Sequence, residues 1–143
     1  MKNLKCRALD RNGDFVYGLL FYSHGTSEYK ITHSDGWVPS YGNPDQGETN
    51  LYTDIKSETI GVCVGIKDIE GTDIYQGDVI TLNHLFPNDE KVFYRVVWDE
   101  KRLSWGYRRS KWHKSDISPF NEFILKNCKV EGNIHQHKEL IKK

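Results

Sequence analysis

Four carboxylates fall within eleven residues of "GIKDIEGTDIYQGDVITL" (Gly65–Leu82): Asp68, Glu70, Asp73 and Asp78. Acids at that density can hold a divalent cation or share acid–base work. A calcium loop needs oxygens at positions 1, 3 and 5, glycine at 6 and a bidentate glutamate at 12. Counted from Asp68, position 5 is Thr72, position 6 is Asp73 and position 12 is Val79, which has no side-chain oxygen. The spacing excludes a calcium loop. Turn chemistry accounts for the same residues. Gly71 and Gly77 supply positive φ at tight turns, and Asp78 accepts backbone N–H groups just before a strand. One helical turn is expected over Thr72–Gln76, capped by Thr72 or Asp73 and ended by Gly77.

The other chemistry-bearing residues are sparser. His135 and His137 stand at i and i+2, so a strand would bring them to one face, close enough to chelate. A zinc site needs at least a third ligand, and no H-E-x-x-H or cysteine partner accompanies them. Surface histidines are expected, with metal binding left open. His24, His33, His84 and His113 are scattered, without a nucleophile motif such as G-x-S-x-G. Three cysteines (Cys6, Cys63, Cys128) include no C-x-x-C pair, so reduced, half-buried thiols are expected rather than a disulfide framework. No catalytic residue, metal ligand or cofactor emerges, and the chain is read as a non-enzyme.

The sharpest functional lead is "KRLSWGYRRSKWHK" (Lys101–Lys114), with six Lys/Arg, no carboxylate, and Trp105, Tyr107 and Trp112 interleaved. Cations that hold phosphates and rings that stack on bases are the two elements of a nucleic-acid groove. A strand from Ser104 would set Trp105, Tyr107 and Arg109 on one face, with Ser104, Gly106 and Arg108 on the other. The candidate contact residues are Lys101, Arg102, Trp105, Tyr107, Arg108, Arg109, Lys111, Trp112 and Lys114. A competing reading makes Trp105 and Tyr107 core and the cations a solvated edge that discourages strand pairing. Asp99, Glu100 and Asp116 flank the run and weaken its field. A protein partner suits the same surface, since Trp, Tyr and Arg dominate interface hot spots.

Composition sets the frame for these residues. The chain has 143 residues, 28% charged and 37% apolar, and its 20 Lys+Arg balance 20 Asp+Glu. Mean hydropathy is −0.68, an ordinary soluble globular value. No global field draws it to nucleic acid or an anionic membrane, so any such binding must be local. No signal-peptide core opens the chain and no apolar run approaches the ~20 residues of a bilayer span, so a cytoplasmic protein without membrane partners is expected.

Strand patterns dominate the elements that must position these residues. "LKCRAL" (Leu4–Leu9) alternates, Asn12-Gly13 predicts a type I′ hairpin turn, and "FVYGLLFYS" (Phe15–Ser23) returns as one strand. "EYKIT" and "GWV" are short β-rich pieces. Pro39–Asn50 has no periodicity and is read as an exposed loop. "SETIGVCVG", "DVITLNHL", "KVFYRVVWD", "SWGYRR" and "NCKVEGNIH" are further strands, with "FPNDE" as a turn. "SPFNEFIL" allows a helix with Ser118 as cap and Pro119 as first helical residue, and "HKELIKK" one terminal turn. Many short strands punctuated by glycine and Asx turns predict a small barrel or sandwich.

Three segments together resemble the YopX family of phage and prophage proteins: "ETIGVCVGIKDIEGTDIYQGDVI" (Glu58–Ile80), "VVWDE" (Val96–Glu100) and "VEGNIHQHKEL" (Val130–Leu140). The opening "KCRALDRNGDFVYG" is also similar to that family's start. Leu9 stands where the family has an aromatic, Val62 and Val64 where it has polar residues, and His135 where it has tyrosine. The resemblance implies a mostly β fold. An SH3-like small β-barrel lobe would fill the C-terminal half (59–143), joined to an N-terminal β-hairpin lobe (1–58). It also implies a homo-oligomer and brings no catalytic activity. Gly71, Gly77, Asp78, Gly132 and Asn133 are read as structural turn residues. The expected function is a phage- or prophage-encoded accessory protein in a bacterial host cytoplasm, a non-enzymatic binding or assembly module. The alternative is a nucleic-acid-binding module using 101–114.

Overall fold

A computed structural model describes residues 5–32, 52–82, 92–109 and 116–142. The "GWV" piece, the Pro39–Asn50 loop, the "FPNDE" turn and the candidate residues Lys111, Trp112 and Lys114 lie outside them. The described chain is mostly β, arranged in antiparallel sheets with one short α-helix. Contacts divide it into two compact units, Met1–Cys63 and Val64–Lys143.

In the first unit β1 (Cys6–Leu9) pairs with β2 (Phe15–Gly18) and with Gly61 and Val62, the first residues of β6 (Gly61–Lys67). The β1–β2 turn differs from the type I′ expectation, because only Gly13 adopts a positive φ (+85°). The Leu9–Phe15 pairing leaves five residues to span, and Asp10 Oδ1 closes them by accepting the N–H groups of Asn12 (2.8 Å) and Asp14 (3.0 Å). "FVYGLLFYS" is two strands rather than one. After Gly18 the chain changes sheets, and β3 (Leu20–Ser23) pairs with β4 (Glu28–Thr32), which pairs with β5 (Tyr52–Asp54). Gly18 is required there, since a Cβ would lie 1.8 Å from the Thr32 carbonyl oxygen.

The small core of this unit holds Cys6, Ala8, Leu9 and Ile31, and it also buries polar groups. The Lys30 ammonium is satisfied by Asp54 at 2.9 Å and by the Tyr52 ring face at 4.6 Å, and that hydrogen bond pulls the Asp54 carboxyl below its usual range. "SETIGVCVG" begins as a 3-10 turn (Ser57–Thr59) rather than as strand, because the Thr59 hydroxyl is committed to the Leu9 N–H at 2.9 Å and the Lys56 carbonyl at 2.6 Å.

In the second unit the rest of β6 pairs with β7 (Asp73–Tyr75). A five-stranded antiparallel sheet holds β8 (Asp78–Leu82), β9 (Phe93–Asp99), β10 (Ser104–Arg109), β11 (Ser118–Pro119) and β12 (Cys128–Asn133), in the order β11-β10-β9-β8-β12. Ile74, Ile80, Leu82, Val96, Tyr107, Ile124 and Cys128 form its core. Thr72–Gln76 is not a helical turn. Ile74 and Tyr75 are both buried on β7 instead, and ladder pairing with β6 is favoured over one unsupported helical turn. The helix near "SPFNEFIL" begins later than expected, as α1 (Glu122–Leu125), with Asn121 Oδ1 accepting the Ile124 N–H at 2.9 Å. Ser118 and Pro119 pair with β10 instead; an edge strand tolerates a residue without an N–H.

Candidate functional site

The acid-rich loop comes first, because its carboxylates had the strongest claim to chemistry. Asp68 is buried, and its Oδ1 accepts the N–H groups of Glu70 and Thr72, each at 2.9 Å. Its Oδ2 accepts the Val130 N–H at 2.9 Å, which ties the loop to β12. Asp78 Oδ2 accepts the Tyr75 N–H at 2.8 Å. Asp73 faces Lys67 at 3.2 Å and Glu70 faces Lys129 at 3.5 Å. Gly71 and Gly77 sit at φ +81° and +86°, where a Cβ is penalised. All four acids are engaged in holding the fold.

Among the described residues neither histidines nor thiols add a site. Residues 134–136 form a turn rather than a continuing strand, so the same-face placement of His135 and His137 is lost. Among the described residues no group of three or more His, Cys, Asp or Glu is placed to hold a metal ion. Burial, reinforced by the Asp68 charge, pushes the Cys128 thiol up to about 11. Burial also raises Cys6. Both are thiols at neutral pH and therefore poor nucleophiles.

The β9–β10 hairpin is different. Asp99, buried at the end of β9, accepts the N–H groups of Lys101 (3.0 Å) and Arg102 (3.4 Å) on Oδ1. Arg102 Nη1 reaches Asp99 Oδ2 at 3.4 Å and the Ile117 carbonyl at 2.7 Å. The last turn residue, Leu103, adopts a left-handed φ of +53° and is 73% exposed. A branched side chain in that region costs about 1–2 kcal/mol, and here no burial offsets it.

Register then sorts the side chains. Trp98 pairs with Trp105, Val96 with Tyr107 and Tyr94 with Arg109 on one face; Arg95 pairs with Arg108 on the other. As expected, Trp105, Tyr107 and Arg109 share a face. Tyr107, however, belongs to the core, edge-on to Tyr94 and tilted against Phe120, each at 5.4 Å. Burial pushes both tyrosine hydroxyls up, with the Arg109 charge partly opposing it at Tyr94. Towards the hairpin tip the same face becomes exposed. Trp98 and Trp105 pack edge-to-face at 5.1 Å, and Trp98 is 41% exposed. Gly106 is required where β10 meets β11, since a Cβ would come within 2.6 Å of the Ser118 carbonyl oxygen. On the opposite face burial, followed by the Arg108 charge, pulls Arg95 below the usual guanidinium range.

An open cleft of about 730 Å³ follows the hairpin. It is lined, among the described residues, by Trp98, Asp99, Glu100, Lys101, Arg102, Arg108, Asp116 and Ile117. Three cations meet three carboxylates, so the described lining carries no net charge. The structure thus brings Lys101, Arg102 and Arg108 to the cleft, sets Trp105 against Trp98 on the other face of β10, leaves Arg109 exposed at the far end of the strand, and removes Tyr107 to the core. Sequence reading missed Trp98 and Leu103. Trp98 lies in the strand "KVFYRVVWD", but only the ladder register shows it opposite Trp105. Nothing in the residue type marked Leu103.

The family model described as "YopX protein" matches residues 20–142. The crystal structure of protein EF1440 from Enterococcus faecalis is similar in fold, with a TM-score of 0.59 at 18% identity over 99% of each chain. No curated protein matches the chain.

Proposed function

The chain belongs to the YopX family, and we propose that it is a phage- or prophage-encoded accessory protein, a non-enzymatic binding and assembly module. It works in the cytoplasm of a bacterial host as a homo-oligomer, with an SH3-like lobe built on its five-stranded sheet. The observation that carries this reading is the β9–β10 hairpin. An exposed Trp98 packed on half-buried Trp105, and an outward Leu103 held at a left-handed φ, give the hairpin apolar surface near a cleft of balanced charge. Proteins retain such strain where a surface is used, and buried aromatic anchors within a polar rim describe a protein interface. Among the described residues no helix is long and apolar enough to cross a membrane.

A nucleic-acid-binding module is the second reading, favoured by the exposed Trp98 beside the exposed Lys101. The balanced lining ranks it lower, because phosphate binding wants uncompensated cations. Sedimentation at micromolar concentration is expected to show an oligomer that Trp98→Ala weakens. A wild-type monomer rejects the assembly reading. Titration of labelled single- and double-stranded DNA at two salt concentrations decides the other: salt-sensitive binding lost in Lys101→Ala supports it, and no binding at low salt removes it.

A further inference from the structure

The turn that closes β12 is locked by an imidazole, and we infer that His137 makes the segment after it a pH-sensitive strap. The Asn133 backbone N–H points at His137 Nδ1 from 3.2 Å, and the Asn133 side-chain amide nitrogen stands 3.4 Å from the same atom. A backbone N–H can only donate, so Nδ1 must present its lone pair and the ring proton must sit on Nε2. The rest of the turn is built around this contact. Asn133 Oδ1 accepts the N–H groups of His135 (3.0 Å) and Gln136 (2.8 Å). His137 N–H donates to the Asn133 carbonyl, and Leu140 N–H to the His137 carbonyl, each at 3.0 Å. Gly132 makes room for the ring, since a Cβ there would come within 2.7 Å of Nδ1 and 3.0 Å of Leu140 Cδ1. Beyond the ring the 3-10 segment Lys138–Lys142 packs on β9 and β12.

A protonated imidazole has two donors and no acceptor. The Asn133 N–H, in a residue only 5% exposed, would then face a donor with little water to replace the lost bond. Charged groups stand on the neighbouring elements. Glu131 on β12 accepts from Thr81 Oγ1 at 3.0 Å. Asp78 on β8 pairs with Asn133, while Arg95 on β9 pairs with Val79, the residue opposite Gly132; Arg108 on β10 lies beyond it. His135 shares the turn, and Lys138 and Glu139 lie on the strap itself. None of these groups restores an acceptor at Nδ1 for the Asn133 N–H. The direction is fixed by the Asn133 hydrogen bond. The strap is closed while the ring is neutral and loosens when protonation fills the Nδ1 lone pair that the Asn133 N–H uses.

Amide hydrogen exchange by NMR at pH 7.5 and 5.5, each rate corrected to its unstructured-chain value, tests this directly. Protection at Asn133 and Leu140 is expected to fall about tenfold or more at the lower pH, with Tyr107 in the core as the unchanged reference. Nitrogen shifts of His137 at pH 7.5 should report the Nε2–H tautomer. His137→Asn, which keeps a non-titrating acceptor, should remove the pH response, and His135→Asn should retain it. Equal corrected protection at both pH values overturns the inference, as does an Nδ1–H tautomer or a pH response that persists in His137→Asn. Tyr107 protection in each variant separates a loosened strap from a lost fold.

Discussion

In the loop Asp68–Thr72 a buried carboxylate gathers backbone N–H groups, and glycine takes the left-handed position. In the hairpin Asp99–Ser104 a buried carboxylate again gathers N–H groups, but leucine takes that position and points into solvent. The two turns meet the same backbone requirement with different residues. The first satisfies its polar groups and leaves no strained side chain, as expected of a turn under selection for stability. The second keeps an avoidable cost in the hairpin that carries exposed Trp98 and the cleft. This strain without a gain in stability is the feature on which the proposed association surface rests.

The largest way to break the comparison is through the first acid. Asp68→Ala leaves three backbone N–H groups without their acceptor. Stability should fall by about 3 kcal/mol and Tm by roughly 10 °C. A Tm within a few degrees of wild type would show that the carboxylate is not what holds the loop to β12.

Next in size is a reciprocal pair. A Cβ at Gly71 meets nothing within 4 Å, so Gly71→Ala isolates the conformational term. It should cost about 1 kcal/mol, or roughly 3 °C in Tm. Leu103→Gly removes the same term from the hairpin at the price of about 0.5–1 kcal/mol of chain entropy. Its Tm should therefore stay within about 2 °C of wild type or rise. Equal losses in both variants would mean that Leu103 is part of the fold and the two turns do not differ in kind.

The smallest effect is chemical. Cys128 lies beside the satisfied turn, its thiol raised to about 11 by burial and by Asp68. In a Cys6→Ser background a thiol reagent at pH 8 should label half-exposed Cys63 more than about tenfold faster than buried Cys128, whose thiolate is scarce at that pH. Comparable rates would place Cys128 in a looser turn than the hydrogen bonds describe.

The local chemistry of the first turn could be read from sequence because it depends on residue type. Gly71, Gly77 and Asp78 are the residues that positive φ and N–H capping require, and they occupy those roles. Strand existence was equally legible, since "KVFYRVVWD" and "SWGYRR" alternate as half-buried ladders do. What failed were choices that tertiary context makes. Asx and glycine signals around Thr72–Gln76 fit a helical turn or a strand entry, and burial of Ile74 and Tyr75 decided for the strand. Leu19 breaks "FVYGLLFYS" where its N–H turns to the Thr32 hydroxyl at 3.3 Å and its carbonyl accepts the Thr32 N–H at 2.9 Å. In the hairpin, residue type cannot distinguish core Tyr107 from rim Trp105 on one face; the packing of Phe120 and Tyr94 does. Leu103 was invisible, because a leucine at a left-handed φ contradicts local preference.

The central claim is that the hairpin strain serves association rather than folding. Sedimentation of wild type and Leu103→Gly at one micromolar-range concentration, with Tm measured on the same samples, tests it most directly. The account predicts an oligomer for wild type and a smaller species for the variant, with Tm unchanged or raised. A wild-type monomer, or a variant that assembles like wild type, would contradict it.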